Sequence, residues 1–491
     1  MLFNTWTFAA FLIAVLSAYY LTPFLRQYAL FQVTLLTIAS YVFYAWHAPW
    51  LVIVLAFSTT INAWATVALF RVPTASSQKQ CSRKILLIAV LGNLLVLAVF
   101  KYASLIVETF LPQAMHRPWG VDLKNIPLPI GISFFTFQGI SLVVDVYRKT
   151  QNVDQLSWEN ADQLTSGKSS SRGKVIADIA FFKAFFPQLV AGPIVKAHQF
   201  MGQIGMKEFR NIQWESAVKT LITGFFFKMV IADNLREVTA GLSFPAFTEM
   251  PGVNLLFLLY AFSFQIFADF FGYSMIAIGL AKLFGYELPE NFNFPYISTS
   301  ITEFWRRWHI SLSSWLREYL YIPLGGNRLG AVRTYLNLIV VMLLGGLWHG
   351  AAWKFMFWGG AHGACLALER LFQAQKNRTH AMNHLIQAVR ILLVFHLVSA
   401  LWLLFQLDDL HQGWLFVKRL SHWPSGISPQ PIFCCVIFGL GVVGYHALGW
   451  FREQKQLAIH SSSLGNILYG TLLFLILTNS GVSGAFIYFQ F

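Results

Sequence analysis

Apolar runs long enough to cross a lipid bilayer recur along the whole chain. A helix rises about 1.5 Å per residue, so about 20 apolar residues cross the hydrocarbon core. The first run, 1–21, has neither a basic start nor a small-residue cleavage site, which indicates a membrane helix and not a removable signal peptide. Further spans are predicted at 29–45, 50–70, 84–107, 127–146, 216–232, 253–268, 270–286, 334–348, 351–369, 387–406, 431–449 and 464–480. We therefore predict an all-α polytopic integral membrane protein, a single membrane-embedded domain over 1–491 with about 11–13 helices, some partial or re-entrant.

The composition agrees with a bilayer as the solvent. Hydrophobic residues make up 56% of the chain and charged residues only 11%, whereas soluble domains carry about 25% charged residues. Aromatic residues reach 16%, which suits interfacial belts and tight packing inside a membrane. Together with the repeated bilayer-length runs, this composition argues against a soluble helical protein.

The net charge of +14 comes from Lys and Arg residues that lie between the apolar runs. Nucleic-acid binding would need them clustered on one soluble face, so we predict no nucleic-acid partner and expect membrane lipids around the chain. Basic residues near Arg26, in 71–84 and in 148–174 alternate with a nearly uncharged turn at 46–49. Placing the basic loops in the cytoplasm puts the N-terminus outside. The polar segment 151–174 is predicted to be a flexible cytoplasmic loop.

Several signatures of soluble enzymes are absent from the sequence. It contains no Walker loop, no GxGxxG after a strand, no HExxH and no GxSxG motif. Its four cysteines, Cys81, Cys365, Cys434 and Cys435, lack the spacing of a metal site. We interpret the cysteines as packing residues.

The most informative polar segment is 291–330, NFNFPYISTSITEFWRRWHISLSSWLREYLYIPLGGNRLG. Ser300 and Glu303 have the spacing of a capping box, so a helix is predicted to begin there and to end at the turn 323–326. Glu303 and Arg307 are four residues apart and are predicted to form an ion pair. One face of this helix carries a stripe of large side chains, Trp305, Trp308, Leu312, Trp315 and Tyr319.

The predicted helix is too polar for a simple span and too aromatic for water. We therefore expect it at the membrane interface or dipping into a protein-lined cavity. His309 lies about 40° from the aromatic stripe at 100° per residue. Two interpretations stay open for it: a hydrogen-bonded packing residue on an interfacial helix whose arginines contact headgroups, or a functional group facing a cavity.

A second histidine, His349, ends an apolar span in the segment 343–363, LLGGLWHGAAWKFMFWGGAHG. An ionisable residue at membrane depth is costly, so its default interpretation is functional. The glycines around it, Gly345, Gly346 and Gly350, weaken a helix and therefore indicate close approach to another helix or to a ligand.

An imidazole at such a position has a chemical use. A sugar hydroxyl is a poor nucleophile at neutral pH, and a histidine can accept its proton as the oxygen attacks a thioester carbonyl. If both histidines line one cavity, we expect His349 to be the base and His309 to orient the acceptor or polarise the carbonyl. A two-histidine metal site is the competing hypothesis. It is disfavoured because no carboxylate or thiolate lies at ligand spacing near either histidine.

Other polar or helix-breaking residues fall within apolar sequence. Asp269 is predicted to pair with a basic residue such as Lys228 or Lys183, in either a structural or a catalytic ion pair. Pro187, Gly192 and Pro193 interrupt the helical pattern of FFPQLVAGPIVK, and broken helices at membrane depth commonly line cavities.

Four segments together resemble the membrane-bound O-acyltransferases, in particular their bacterial alginate O-acetyltransferase branch. The segments are FFPQLVAGPIVK (185–196), PENFNFPY (289–296), EFWRRWHISLSSWLREYLYIPLGGNR (303–328) and GGLWHGAAWKFMFWGGAHG (345–363). The agreement is close over 180–370, which we take as the core.

The resemblance implies helices around a central tunnel, with acetyl-CoA entering from the cytoplasm as donor substrate and with no bound cofactor or metal. It implies that His349, in the WHG motif, is catalytic and that His309, in WRRWHISLS, is a second important residue. The candidate substrate-binding residues in the same segments are Trp305, Trp308, Arg317, Trp348 and Asn327.

The implied activity is acetyl transfer to hydroxyls of an exported cell-envelope polysaccharide, most closely alginate, at the bacterial inner membrane. An extracytoplasmic partner of the SGNH esterase-like type is expected to take part. The chain has DFFGYSMIAIG where alginate-type members carry DFSGYSDMAIG, so Phe271 and Met275 replace a Ser and an Asp. Peptidoglycan O-acetylation and D-alanyl transfer to teichoic acid therefore stay open. A glycan or lipid-carrier transporter is the alternative outside the enzymes, although it predicts internal repeats that this sequence lacks.

Overall fold

The computed structural model describes residues 1–21, 29–46, 48–72, 78–110, 127–150, 172–190, 192–373, 384–422, 426–453, 462–484 and 486–487. The protein is 82% helical and has no β-strand among these described residues. Phe292 and Trp308 form an isolated antiparallel bridge. The predicted all-α class is therefore confirmed.

The described chain forms two compact units. The first comprises Met1–Val218 and Ala277–Pro289, and the second comprises Lys219–Ile276 and Glu290–Phe491. The prediction of a single domain over 1–491 stays a prediction. Helices that begin in the first unit are α1 (Trp6–Leu21), α2 (Ala29–Ala45), α3 (Val52–Arg71), α4 (Lys79–Leu97), α5 (Ala103–Phe110), α6 (Ile132–Thr150), α7 (Arg172–Ala184), α8 (Phe186–Leu189), α9 (Ala197–Phe200) and α10 (Trp214–Phe225).

The second unit holds the helices that follow. They are α11 (Asp233–Thr239), α12 (Gly252–Leu283, which ends in the first unit), α13 (Ile301–Arg307), α14 (Ile310–Leu316), α15 (Ala331–His349), α16 (Trp353–Gln373), α17 (His384–Gln406), α18 (Leu410–Leu420), α19 (Pro429–Glu453) and α20 (Ser462–Asn479). Three π-helical segments extend helices, at Ala98–Tyr102, Phe226–Ala232 and Arg317–Tyr321.

Six helices of the described chain are long and apolar enough to cross a membrane. They are Pro49–Arg71, Lys79–Phe110, Gly252–Leu283, Ala331–His349, His384–Gln406 and Pro429–Glu453. Large apolar side chains on them face outward, and Ile53 and Leu393, for example, are 71% and 65% exposed. Lipid is the solvent in which such a surface is stable. The prediction of a polytopic membrane protein is confirmed.

One predicted division was wrong. The spans 253–268 and 270–286 are a single helix, Gly252–Leu283. Asp269 does not interrupt this helix because its carboxylate has an ion-pair partner: Asp269 Oδ1 lies 2.7 Å from Lys228 Nζ. The same ammonium lies 2.7 Å from Asp233 Oδ1, so both carboxylates of the buried cluster are paired with one cation. The predicted pair with Lys228 is thereby confirmed.

Lys183, the other partner considered for Asp269, belongs to the first unit. Its buried ammonium donates to Ser58 Oγ at 2.9 Å and to the Phe135 carbonyl. Helix α7, which carries Lys183, ends at Ala184, and Phe185 separates it from the four-residue helix Phe186–Leu189. The predicted break around Pro187 is therefore confirmed.

The predicted cytoplasmic loop 151–174 falls mainly outside the described residues. Only its last three residues are described, and they begin helix Arg172–Ala184. The loop prediction was therefore wrong at this end, where the chain is already helical.

Candidate functional site

The polar segment around His309 is two helices and not one. Ser300 is the N-cap as predicted, and its hydroxyl accepts from the Glu303 backbone N–H at 3.0 Å. The helix ends at Arg307, Trp308 is extended, and a new helix begins at Ile310. The prediction of one continuous helix was therefore wrong. The predicted aromatic stripe was wrong for the same reason, because it was counted across the break.

A neighbouring stretch of backbone causes this break. The Asn293 N–H donates to the Arg307 carbonyl at 2.9 Å, and the Ile310 N–H donates to the Asn291 carbonyl at 3.0 Å. Asn291 also accepts from the Ser311 hydroxyl at 2.6 Å through its side chain. These bonds replace helical hydrogen bonds that the break removes, so the backbone remains paired where it leaves the helix.

His309 itself has left-handed backbone dihedrals, with φ 45° and ψ 53°. This conformation costs a non-glycine residue roughly 1–2 kcal/mol, and such residues occur often at functional sites. The imidazole is fully buried, with its ring centroid 4.6 Å from Phe270 in an edge contact. The break therefore turns His309 into the protein interior.

His349 is the last residue of helix Ala331–His349 and is also buried. Two glycines on facing helices let this helix lie directly against Trp353–Gln373. The Cα atoms of Gly346 and Gly359 face one another closely enough that a Cβ on Gly346 would meet the Phe355 carbonyl oxygen, and one on Gly359 would meet that of Met342. The close helix approach predicted from the glycines is confirmed.

The two imidazoles lie near each other, with ring centroids 6.5 Å apart. Trp348 contacts both of them, at 5.9 Å from His309 and 5.2 Å from His349. Trp358 and Phe405 make edge contacts with His349 at 5.1 and 5.6 Å. The histidine pair is therefore enclosed by aromatic rings, which keep bulk water away from it.

Lys354 stabilises the part of this aromatic enclosure that contains Phe405. Its ammonium donates to the carbonyl oxygens of Phe405 and Leu407, at 3.2 and 2.7 Å. A cation on the last carbonyls of a helix satisfies groups that have no helical partner. Phe405 is thereby fixed beside His349.

Sequence reasoning missed a third buried histidine, His362. Its Nδ1 accepts a hydrogen bond from Trp305 Nε1 at 3.3 Å, which assigns the proton of the neutral ring to Nε2. Its ring lies 4.8 Å from Trp358, which in turn contacts His349. The signal was present in the sequence, since Trp358 and His362 are four residues apart on one helix and therefore share a face.

The other predicted site residues have different surroundings. Trp308 is a packing residue, fully buried with its ring 4.9 Å from Trp402 and 5.0 Å from Phe292. Trp305 contacts His362 and not the histidine pair directly. Arg317 lines a separate cavity, and Asn327 is exposed in the turn that follows.

Burial and hydrogen bonding set the charges around the break, which lies outside the six candidate spans. Burial lowers the pKa of His309 to about 3, so the imidazole is neutral at physiological pH. Burial alone would raise the pKa of Glu303, but hydrogen bonds from Thr299 and Arg307 lower it below its ordinary value. Arg307 also pairs with Glu453, to which its two terminal guanidinium nitrogens donate at 2.5 and 3.0 Å.

Within the described ranges, no group of three or more His, Cys, Asp or Glu side chains could hold a metal ion. The chemistry available at the histidine pair is proton transfer and hydrogen bonding in a dry, aromatic setting.

The site thus belongs to an all-helical, multi-pass membrane protein with two buried histidines held beside each other. The membrane-bound O-acyltransferase family model matches residues 119–406, which include both histidines. The chain belongs to the membrane-bound O-acyltransferase family, and it is an O-acyltransferase.

Relatives in several bacteria agree with this assignment. The chain is 39% identical to the probable alginate O-acetylase AlgI of Azotobacter vinelandii, over 82% of this chain and 74% of the relative. It is 34% identical to the peptidoglycan O-acetyltransferase of Helicobacter pylori, over 86% and 80%. It is 27% identical to the teichoic acid D-alanyltransferase of Bacillus subtilis, over 58% and 69%. The family resemblance predicted from the motifs is confirmed.

Proposed function

We propose that this enzyme transfers an acetyl group from cytoplasmic acetyl-CoA to hydroxyls of an exported, alginate-type polysaccharide, with His349 as the general base. The observation that carries the proposal is the burial of His349 and His309 side by side, with ring centroids 6.5 Å apart. The alginate O-acetylase relatives, which match most of the chain, support the acetyl group and the acceptor class.

The proposed reaction is one acyl transfer. The acceptor hydroxyl attacks the thioester carbonyl while His349 accepts its proton, and a tetrahedral intermediate forms. The carbon–sulfur bond then breaks, and the protonated imidazole returns the proton to the leaving sulfur, which gives the ester and free CoA. General-base assistance of this kind contributes about 10²–10⁴-fold.

His309 has a supporting role in this proposal. Because burial keeps its imidazole neutral, it carries one N–H that can donate to the thioester carbonyl oxygen as negative charge develops there. Trp348, which contacts both histidines, would form the wall beside the reacting carbonyl. The aromatic enclosure would limit hydrolysis of the thioester by water.

The acceptor side of the proposal follows from orientation. With the basic loops in the cytoplasm, the N-terminus lies outside and the chain resides in the bacterial inner membrane. The acetyl group would then pass either directly to the polysaccharide or to an extracytoplasmic SGNH-type partner that completes the transfer. Peptidoglycan is the second candidate acceptor, favoured by the 34% identity to the Helicobacter pylori peptidoglycan O-acetyltransferase over 86% of this chain.

The acceptor and the base are tested together in cells. Acetyl content is measured in isolated polysaccharide and peptidoglycan from cells that express the wild type, His349→Ala or His411→Ala, at matched membrane levels. His411 is an exposed histidine and serves as the matched control. We expect one of the two glycans to lose its acetate in cells that express His349→Ala, and neither glycan to lose it in cells that express His411→Ala. Unchanged acetylation in every fraction would reject His349 as the base.

The donor is tested in inside-out membrane vesicles. Radiolabelled acetyl-CoA added outside such vesicles reaches the cytoplasmic face of the protein, and label is expected in the glycan fraction. If label enters the glycan from a radiolabelled acetyl-carrier protein and not from radiolabelled acetyl-CoA, the donor is bound to a carrier and is not acetyl-CoA.

A further inference from the structure

Three buried ring N–H groups form a cluster beside His349 and have no hydrogen-bond acceptor among the residues that the structure describes. They are Nε1 of Trp358, Nε2 of His362 and Nε1 of Trp402, and each of these residues is at most 1% exposed. The Trp358 ring contacts the other two, at 4.8 Å from His362 and 5.5 Å from Trp402. An unpaired polar group costs about 1–3 kcal/mol when it is buried, and native proteins contain few of them. Three such groups in contact therefore indicate a function.

The position of Trp358 is fixed by its neighbours. Its ring stacks on Trp402 at an interplanar angle of 24°. The next residue along the chain, Gly359, packs against Gly346 of the helix Ala331–His349. The backbone that carries Trp358 is thus held directly against the helix that ends in the proposed base. An N–H group on so constrained a side chain is preorganised, because it needs no rearrangement to meet a ligand.

The chemistry of these groups restricts what they can bind. An indole nitrogen only donates, and His362 is also a donor at Nε2 because its Nδ1 accepts from Trp305. A ligand for them must therefore bring an oxygen with free lone pairs. The Trp358 ring makes an edge contact with His349 at 5.1 Å. In acyl transfer, the oxygen that gains negative charge next to the base is the acyl carbonyl oxygen.

We propose that the indole N–H of Trp358, with the N–H of His362 as a second donor, binds the carbonyl oxygen of the acyl group beside His349. The two residues make and break no covalent bond. As the hydroxyl attacks, negative charge moves onto the carbonyl oxygen and strengthens both hydrogen bonds, so they stabilise the transition state more than the bound substrate.

This inference rests on the proposed function, since it requires an acyl group at His349, and it extends that function by two residues. His309 is already proposed as a donor to the same oxygen. With Trp358 and His362 the developing oxyanion would have three donors, one for each of its lone pairs. The aromatic rings around the cluster exclude water, which makes each of these hydrogen bonds stronger than it would be in solution.

The test observes the carbonyl group itself, without turnover. Full-length protein in nanodiscs is given a ketone analogue of acetyl-CoA in which a methylene group replaces the thioester sulfur. The carbonyl carbon is ¹³C-labelled, and infrared difference spectroscopy against the unlabelled analogue isolates the carbonyl stretching band. Hydrogen bonds to the oxygen lower the frequency of this band.

Two changes at Trp358 remove its N–H. Trp358→Phe keeps an aromatic ring, and a second form carries benzothiophene in place of the indole through genetic-code expansion, which keeps the size and shape of the side chain. His362→Phe removes the second donor. Trp414→Phe is the matched control, because Trp414 is 59% exposed on the helix Leu410–Leu420.

The carbonyl band is expected at higher frequency in both Trp358 forms and in His362→Phe, and at the wild-type frequency in Trp414→Phe. In vesicle assays, both Trp358 forms should lower kcat by about 10²–10³-fold, the effect of losing one preorganised donor, with KM nearly unchanged. A wild-type band in both Trp358 forms overturns the proposal and indicates that the buried N–H groups bind water instead.

Failure of this inference is distinguishable from failure of the proposed function. His349→Ala should transfer no acetyl group and still show the low-frequency band, because it removes the base and not the donors. If the wild type does not bind the analogue, the acetyl-CoA donor is rejected, and this inference is rejected with it. Size-exclusion profiles report folding, and the benzothiophene form decides the outcome if Trp358→Phe does not fold.

Discussion

His309 and His349 lie with ring centroids 6.5 Å apart, although one sits at a helix break and the other at a helix end. The backbone of 291–293 creates the first position by pairing with residues on both sides of the break. The close packing of Gly346 against Gly359 fixes the second helix against its neighbour. Each histidine is thus held in place by a different local interaction, and their proximity depends on both interactions.

The two histidines are expected to act as one unit. His349→Gln should lower the acetyl-transfer rate by about 10²–10⁴-fold, since it removes the base. His309→Asn should lower the rate less, and the double variant should resemble His349→Gln alone. Initial rates in membrane vesicles measure this. If the double variant falls by the product of the single effects, the histidines act independently.

The burial of His309 makes a prediction about pH. Its folded-state pKa of about 3 is below the ordinary 6.5, so between these values the unfolded chain binds a proton that the native protein does not. The stability contribution is complete above the ordinary pKa and decreases as pH falls below it, by about 1.4 kcal/mol per pH unit. Asparagine tolerates left-handed dihedrals, so it can replace His309 at this backbone position. The His309→Asn variant should lose less stability than the wild type when the pH is lowered from 7.5 to 5.5. Thermal unfolding in detergent measures the difference, and equal losses would contradict the prediction.

The glycine contact predicts a sharp positional effect. Gly346→Ala or Gly359→Ala places a methyl group against a backbone carbonyl that cannot move away easily, and overpacking of this kind costs about 1–3 kcal/mol. Gly360→Ala is the matched control, because its Cβ would meet only the end of the Leu343 side chain, at 3.0 Å. We expect lower thermal midpoints and lower acetyl transfer for the first two variants. Equal midpoints for all three would show that the helices can separate without cost.

The buried ion cluster predicts a strong effect of charge removal. Lys228→Met leaves Asp233 and Asp269 buried without their cation, which costs about 3–5 kcal/mol. Lys418→Met, at an exposed position, should have little effect. Combining Lys228→Met with Asp233→Asn and Asp269→Asn should recover part of the loss. The yield of folded protein after detergent extraction measures these differences, and an unaltered yield for Lys228→Met would mean that the carboxylates are solvated.

Much of the architecture could be predicted because apolar run length is a local property. The helices around Ala29–Ala45 and His384–Gln406 began and ended close to their predicted limits. The break at His309 could not be predicted, since it depends on hydrogen bonds from a separate stretch, 291–293. The long helix that contains Asp269 was wrongly predicted as two helices, because the sequence does not show which residue pairs with a charged side chain in an apolar run.

The residues of the candidate site were predicted with unequal success, because contacts with distant segments of the chain are not visible in the sequence. His349 stood out through its glycines and its place at the end of an apolar span. Trp308 had the same sequence context as Trp305, yet its ring packs against Trp402, a contact that no spacing along the chain indicates. The roles assigned to the histidines stay predictions until the variants are measured.

The ion cluster also limits the order in which the protein can be assembled. The Ile487 backbone N–H donates to Asp269 Oδ2 at 2.7 Å, across 218 positions of sequence. This bond forms only after nearly all later helices have left the ribosome. Until then Asp269 depends on Lys228, because an unpaired carboxylate entering lipid costs roughly 2.5–3.5 kcal/mol. The helices that carry these two residues are therefore expected to leave the translocon together, and insertion of the later helices completes a core that begins as a charged pair.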